Sequence, residues 1–131
     1  LIGTNLLATQ LNDPNFTATS RITKIDLATK NLETIANGTY SPLMSFYNGE
    51  LYFFADNAVK KMTASGTVTK LFDVSGVTSP YALNVIKSSG KIAICDATDY
   101  SSSGKIVIYN VNGSIYKTLN TGIAPNGILE N

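Results

Sequence analysis

The side chains able to do chemistry in this chain are nine carboxylates, seven tyrosines and a single cysteine, with no histidine among its 131 residues. Without histidine, the Ser-His-Asp and Cys-His nucleophilic arrangements lack their base unless another chain supplies it. Asp96 and Asp99 stand three apart and can offer oxygens to a hard cation, which takes about six to eight of them, so calcium is the one cofactor to consider. Neither an EF-hand loop nor an acid-dense run accompanies that pair. Two carboxylates for glycosidic cleavage find no supporting spacing. Tyr40, Tyr81 and Tyr100 offer apolar ring faces with a hydroxyl at one end, a form suited to stacking on sugar rings. Asp13, Asn15, Tyr40, Asp96, Asp99 and Tyr100 together make the candidate ligand-facing set. Asp and Asn also favour turns for the local reason that they bond their own backbone. Cys95 sits in an apolar run and reads as a small buried hydrophobe; no CxxC or Cys/His spacing exists, and the redox compartment stays open.

The elements that must position these residues are short strands. Residues 91–95 and 105–111 are rich in Ile and Val on both alternating positions, as in strands covered on both faces. A loop of Ser, Gly, Asp and Tyr, 96–104, separates them. Asn112-Gly113 is a hairpin signal leading into the alternating strand 115–119. Ser79-Pro80 precedes another apolar run, 81–86, which ends at Ser88-Ser89-Gly90, so four strands lie between Tyr81 and Leu119. The same grammar occurs one repeat earlier: Ser41-Pro42, the turn Asn48-Gly49, strands at 51–54 and 59–62, then Ser65-Gly66 turning into 67–72. Pro42 and Pro80 lie 38 residues apart and Pro80 and Pro125 lie 45 apart, close to the period of roughly 40 to 50 residues shown by propeller blades.

Nearer the start, 4–10 reads as a strand, 12–20 as a polar loop, 21–27 and 32–35 as two more strands around a turn at 28–31. Residues 26–38 also admit a short helix, with Leu27, Leu32 and Ile35 on one face, but the repeat register favours turn and strand. After Leu119, residues 125–129 look like another first strand. The fold class is therefore all-β, with about three four-stranded antiparallel β-propeller blades. Residues 1–36 supply strands two to four of one blade, 37–74 a second, 75–120 a third, and 121–131 the first strand of a closing blade. Three blades fall short of the roughly 4 to 8 of a propeller ring. The chain thus reads as a partial propeller or as one half of an oligomeric ring, a homodimer or part of a longer chain. Starting at Leu1, it reads as a processed or excised piece.

Over residues 96–127, DATDYSSSGKIVIYNVNGSIYKTLNTGIAPNG, the chain resembles the secreted bacterial surface-layer-type β-propellers with YVTN-like repeats. The likeness lies in the Asp-rich loop, the Gly-Lys-Ile-Val-Ile-Tyr strand, the Asn-Gly hairpin and the Thr-Gly-x-x-Pro connection. It is clearest in the last third of the chain. The resemblance implies an extracytoplasmic protein, secreted, periplasmic or on the cell surface.

Charged residues are 15% of the chain, below the roughly 25% of ordinary domains, whereas Thr, Asn and Ser number 15, 13 and 12. Such a composition suits a β surface of polar, uncharged side chains. Net charge is +1 without a block of like charge, which removes the electrostatic footprint of a nucleic-acid binder. No apolar run approaches the roughly 20 residues of a membrane-spanning helix. In a propeller the long loops emerge on one face, where a rigid scaffold presents binding residues. The sequence therefore reads as a non-enzymatic binding or scaffold module that offers this face to a protein or a glycan. The alternative is a metal-dependent enzyme of the lactonase or lyase kind with a site in the central channel. Its first strands would need inward acids, but they begin Leu43-Met44, Ala82-Leu83-Asn84 and Asn126-Gly127. Asn84 and Asn126 are the channel-lining candidates.

Overall fold

The structure, a computed structural model, describes residues 2–4, 20–38 and 43–130. Asp13, Asn15 and Tyr40, with nearly all of the strand expected at 4–10 and of the loop at 12–20, lie outside the described residues. Among those described there is no helix, so the 26–38 segment resolves in favour of turn and strand. Eleven strands form three antiparallel sheets, each ordered as the chain runs. The first holds β1 (Ile2–Thr4), β2 (Ser20–Ile25) and β3 (Leu32–Gly38). The second holds β4 (Met44–Tyr47), β5 (Glu50–Ala55), β6 (Ala58–Met62) and β7 (Val68–Asp73). The third holds β8 (Pro80–Val85), β9 (Ile92–Asp96), β10 (Ser103–Tyr109) and β11 (Ile115–Ile123).

Local chemistry explains the turns. Tyr47 pairs with Glu50 across Asn48-Gly49, and Ala55 with Ala58 across Asp56-Asn57, and all four turn residues have positive φ. That geometry belongs to the two-residue hairpin whose twist matches its strands, and Asn, Asp and Gly tolerate it best. The β10–β11 hairpin departs from the two-residue turn that Asn112-Gly113 signals. Asn110 and Ser114 pair first, which leaves a three-residue loop with Gly113 alone at φ 85°. The β6–β7 hairpin does the same, with Thr63 bonded to Thr67 and Gly66 at φ 86°. The last hairpin of the second sheet and the last hairpin of the third thus share one geometry.

The sheets pack through alternate residues, because successive side chains on a strand point to opposite faces. Ile22 of the first sheet meets Leu51, Phe53, Ala55 and Met62 of the second. From the other face of the second sheet, Val59 and Phe72 meet Leu83, Val85, Ile92, Ile94, Val107 and Tyr109 of the third. Phe72 and Tyr109 stack at 5.3 Å between ring centres. Burying each large apolar side chain of this interface contributes about 1.5 to 3 kcal/mol. Cys95 is fully buried, in keeping with its strand position, and burial pushes its thiol pKa up, against a weaker opposite effect from the Gly127 amide.

Two expected boundaries move. β11 continues to Ile123 because Ser103, at the start of β10, pairs with it. Residues 125–129, expected as a strand, lie in no ladder. Their Ile and Leu supply strand propensity, yet a strand also needs a hydrogen-bonding neighbour, and no described strand offers one there.

Candidate functional site

The connection from β7 to β8, residues 74–79, crosses from the second sheet to the third and is held along its length. The Val74 amide donates to the Asn57 carbonyl at 2.9 Å. The Tyr109 hydroxyl donates to the Ser75 carbonyl at 2.5 Å. Asp96 then takes the amides of Thr78 (3.0 Å) and Ser79 (2.7 Å), while the Thr98 amide reaches the same carboxylate at 3.0 Å. In return the Ala97 amide donates to the Ser79 carbonyl at 2.9 Å and the Ser79 hydroxyl to the Thr98 carbonyl at 2.5 Å. Two segments distant in sequence, 78–79 and 96–98, are thereby joined at one carboxylate.

Asp96 is completely buried and so does not stand among the ligand-facing residues. Burial by itself would raise its pKa. The amides of Ser79, Thr78 and Thr98, with Lys105 Nζ 3.5 Å away, outweigh that cost and hold it below the ordinary value. Its work is to position the loop. Tyr109 and Lys105 belong to the same framework and escaped sequence reading, since a tyrosine at the end of an apolar strand looks like filling. Burial, then the Asp96 charge, pushes the Tyr109 phenol up to about 12.

Asp99 is exposed but engaged. One oxygen takes the amides of Ser102 (2.6 Å) and Ser101 (2.9 Å), and the other takes the Ser102 hydroxyl at 2.9 Å. The Ser102 amide first, then that of Ser101, lowers its pKa strongly. This is the self-bonded turn that an Asp makes from its own backbone. Asp96 and Asp99 thus each accept backbone amides, Asp96 in the interior and Asp99 at the surface. Among the described residues no three acidic or cysteine side chains gather where they would hold a metal.

The loop so fixed presents Tyr100. Its φ is 63° and that of Thr98 is 55°, left-handed values that side-chain-bearing residues adopt rarely and at a cost of order 1 kcal/mol or more. The Tyr100 amide is anchored to the Ala97 carbonyl at 2.9 Å. With its backbone held there, the ring stands edge-on to that of Tyr81, centres 5.5 Å apart and planes at 87°. Both rings remain open to solvent, Tyr81 by 39% and Tyr100 by 55%. Beside Tyr81 runs a groove of about 240 Å³ lined by Leu43, Met44, Ala82, Leu83 and Asn126.

Of the residues singled out from sequence, the structure joins Tyr81 with Tyr100 and sets Asn126 near Tyr81. Asn84 lies elsewhere, half-buried in a second groove with Ser45, Lys87 and Glu130. Asn84 and Asn126 thus line separate grooves.

In fold the chain is similar to a quinonprotein alcohol dehydrogenase-like protein of Bacteroides thetaiotaomicron, with a TM-score of 0.55 and 20% identity over 79% of this chain and 29% of that one. It is also similar to a protein of unknown function from Bacteroides caccae, with a TM-score of 0.52 and 14% identity over 78% of this chain and 36% of the other. Both are propeller-like folds, and the chain spans well under half of either. No protein family profile matches the chain. No curated protein matches it either.

Proposed function

We propose that the three sheets are consecutive blades of a β-propeller, and that the chain is a non-enzymatic binding or scaffold module of an extracytoplasmic protein of the surface-layer kind. Supporting the blade reading are the repeated hairpins, the sheets stacked face to face and the propeller-like neighbours. Location outside the cytoplasm rests on the YVTN-like stretch and the polar, uncharged surface.

One observation carries the binding role: an exposed edge-to-face tyrosine pair joins Tyr81 of β8 to Tyr100, which has a left-handed backbone conformation on a loop anchored by buried Asp96. Rigid aromatic rings give a large amphipathic contact at low entropic cost, which suits a glycan or a protein loop. Screening the immobilised chain against a glycan array and cell-envelope proteins tests this. A ligand found in this way should bind at least about tenfold more weakly to the Tyr81→Ala/Tyr100→Ala double variant, with thermal stability nearly unchanged because both rings are exposed. Equal binding by the double variant would remove the site.

The outer face of a terminal blade calls for a covering blade, so we further propose that the chain functions paired with a second copy or within a longer propeller. Light scattering after size-exclusion chromatography over a tenfold dilution should give a constant mass of two chains. A constant monomer mass would rule out the dimer and leave the longer propeller.

A further inference from the structure

Residues 125–130 belong to no strand yet touch the third sheet at three separate points. At the first, Pro125 lies so close on Gly104 that a Cβ on the glycine would stand 2.4 Å from the ring Cδ. At the second, the Gly127 amide comes close enough to the Cys95 thiol to lower its pKa against the effect of burial. At the third, the Glu130 carboxylate takes the Lys87 amide at 2.5 Å, the Ser88 hydroxyl at 2.7 Å and the Ser88 amide at 3.3 Å, all in the turn between β8 and β9.

The ladders show which face is covered. Cys95 stands opposite Ala82 on one side and Ile106 on the other, and Ala93 opposite Asn84 and Ile108. All six therefore share one face, the reverse of the face on which Ile92, Ile94 and Val107 meet the second sheet. The segment lies over the Cys95 side of this reverse face, which is apolar apart from Asn84.

Both apolar and polar contacts hold the segment down, and Pro125 and Ile128 are half-buried. Leu129, its largest apolar side chain together with Ile128, is 89% exposed and so contributes little burial. The Glu130 carboxylate adds three donors from one turn. A contact of this type is directional and local, and it opens without disturbing the sheet beneath.

We propose that residues 125–130 are a detachable strap, latched by Glu130 on the β8–β9 turn, that closes over the Cys95 face of the third sheet. In the latched form Cys95 is completely buried. Release uncovers the thiol and the strip formed by Ala93, Cys95, Ile106 and Ile108, and makes that face available for packing. This inference is independent of the tyrosine site and of any ligand.

The buried thiol itself is the reporter. Native protein is treated with a maleimide, and the labelling rate of Cys95 is compared with that in denaturant. Glu130→Ala should label about tenfold faster than the parent, because charge-assisted hydrogen bonds set the opening equilibrium. Ser88→Ala, which removes one of the three donors, should fall between the two. Glu33→Ala, which takes away an exposed acid on β3 that pairs with Lys24 at 3.7 Å, should label at the parent rate. Urea midpoints measured in parallel separate strap opening from global unfolding. Parent-like labelling of both Glu130→Ala and Ser88→Ala overturns the latch, as does a parent chain that labels at its denatured rate.

Discussion

Replacing Asp96 by alanine is expected to destabilise the fold by about 3 to 5 kcal/mol, lowering the melting temperature by on the order of 10 °C. The reason is what the carboxylate leaves behind. The amides of Thr78, Ser79 and Thr98 would lose an acceptor that is itself fully buried, and Lys105 would lose its counter-charge. A buried donor left unpaired costs about 1 to 3 kcal/mol, and three partly buried ones together with the counter-charge of Lys105 set the scale. Asp99→Ala is the matched control. Its carboxylate also takes two amides, but at the surface, where water replaces it, so its loss should cost clearly less. Chemical denaturation of the two variants measures both values, and equal losses would show that Asp96 is not the staple of the loop.

The same carboxylate gives the fold an acid limb. Its folded pKa lies below the ordinary value, so the unfolded chain binds a proton at a higher pH than the folded one. The stabilisation is complete above the unfolded value of about 3.9 and is lost as pH falls through the folded pKa. Asp26, Asp99 and Glu130 are shifted in the same direction by their own amide and hydroxyl donors. Asp96→Asn should therefore have a shallower decline in stability below about pH 4, without abolishing it.

Gly113→Ala is the second large effect, at about 2 to 4 kcal/mol. With φ at 85°, Gly113 sits where a side chain costs about 1 kcal/mol by itself. An added Cβ would also stand 2.5 Å from Phe72 Cβ and 2.7 Å from its Cγ, inside the interface of the second and third sheets. Phe72 is buried against Tyr109 and has little room to retreat, so overpacking contributes about another 1 to 3 kcal/mol. Gly49→Ala separates the two contributions. Its φ is 79°, with nothing within 4 Å of the new methyl, so only the backbone cost of about 1 kcal/mol applies. Were the two variants equally stable, the β10–β11 hairpin would not be wedged against Phe72.

Most strands, the chain order within the sheets and the two Asn- or Asp-led hairpins followed from local signals. Alternation and β-branched residues select extended backbone, and Asn-Gly or Asp-Asn selects the left-handed turn, both decided within a few residues. Burial of Cys95 was legible for the same reason. The sequence could not show that Asp96 turns inward while Asp99, three residues later, stays at the surface. That difference depends on where the 74–79 connection passes, and Thr78 and Ser79 lie 18 and 17 residues from the carboxylate they satisfy. Nor could it pair Tyr81 with Tyr100, since their meeting requires the register of β8 with β9 and the left-handed loop after it.

Residues 125–129 mark the boundary between the two kinds of information. Their composition suits a strand, yet they lie in no ladder. Whether such a segment becomes a strand depends on a neighbour to complete its hydrogen bonds, and the described fold provides contacts to the face of a sheet but no edge alongside. Local sequence thus determined conformation, residue by residue, because steric preferences act over a few bonds. Tertiary structure alone decided which groups meet, because those contacts are made between segments whose separation along the chain carries no record of their distance in space.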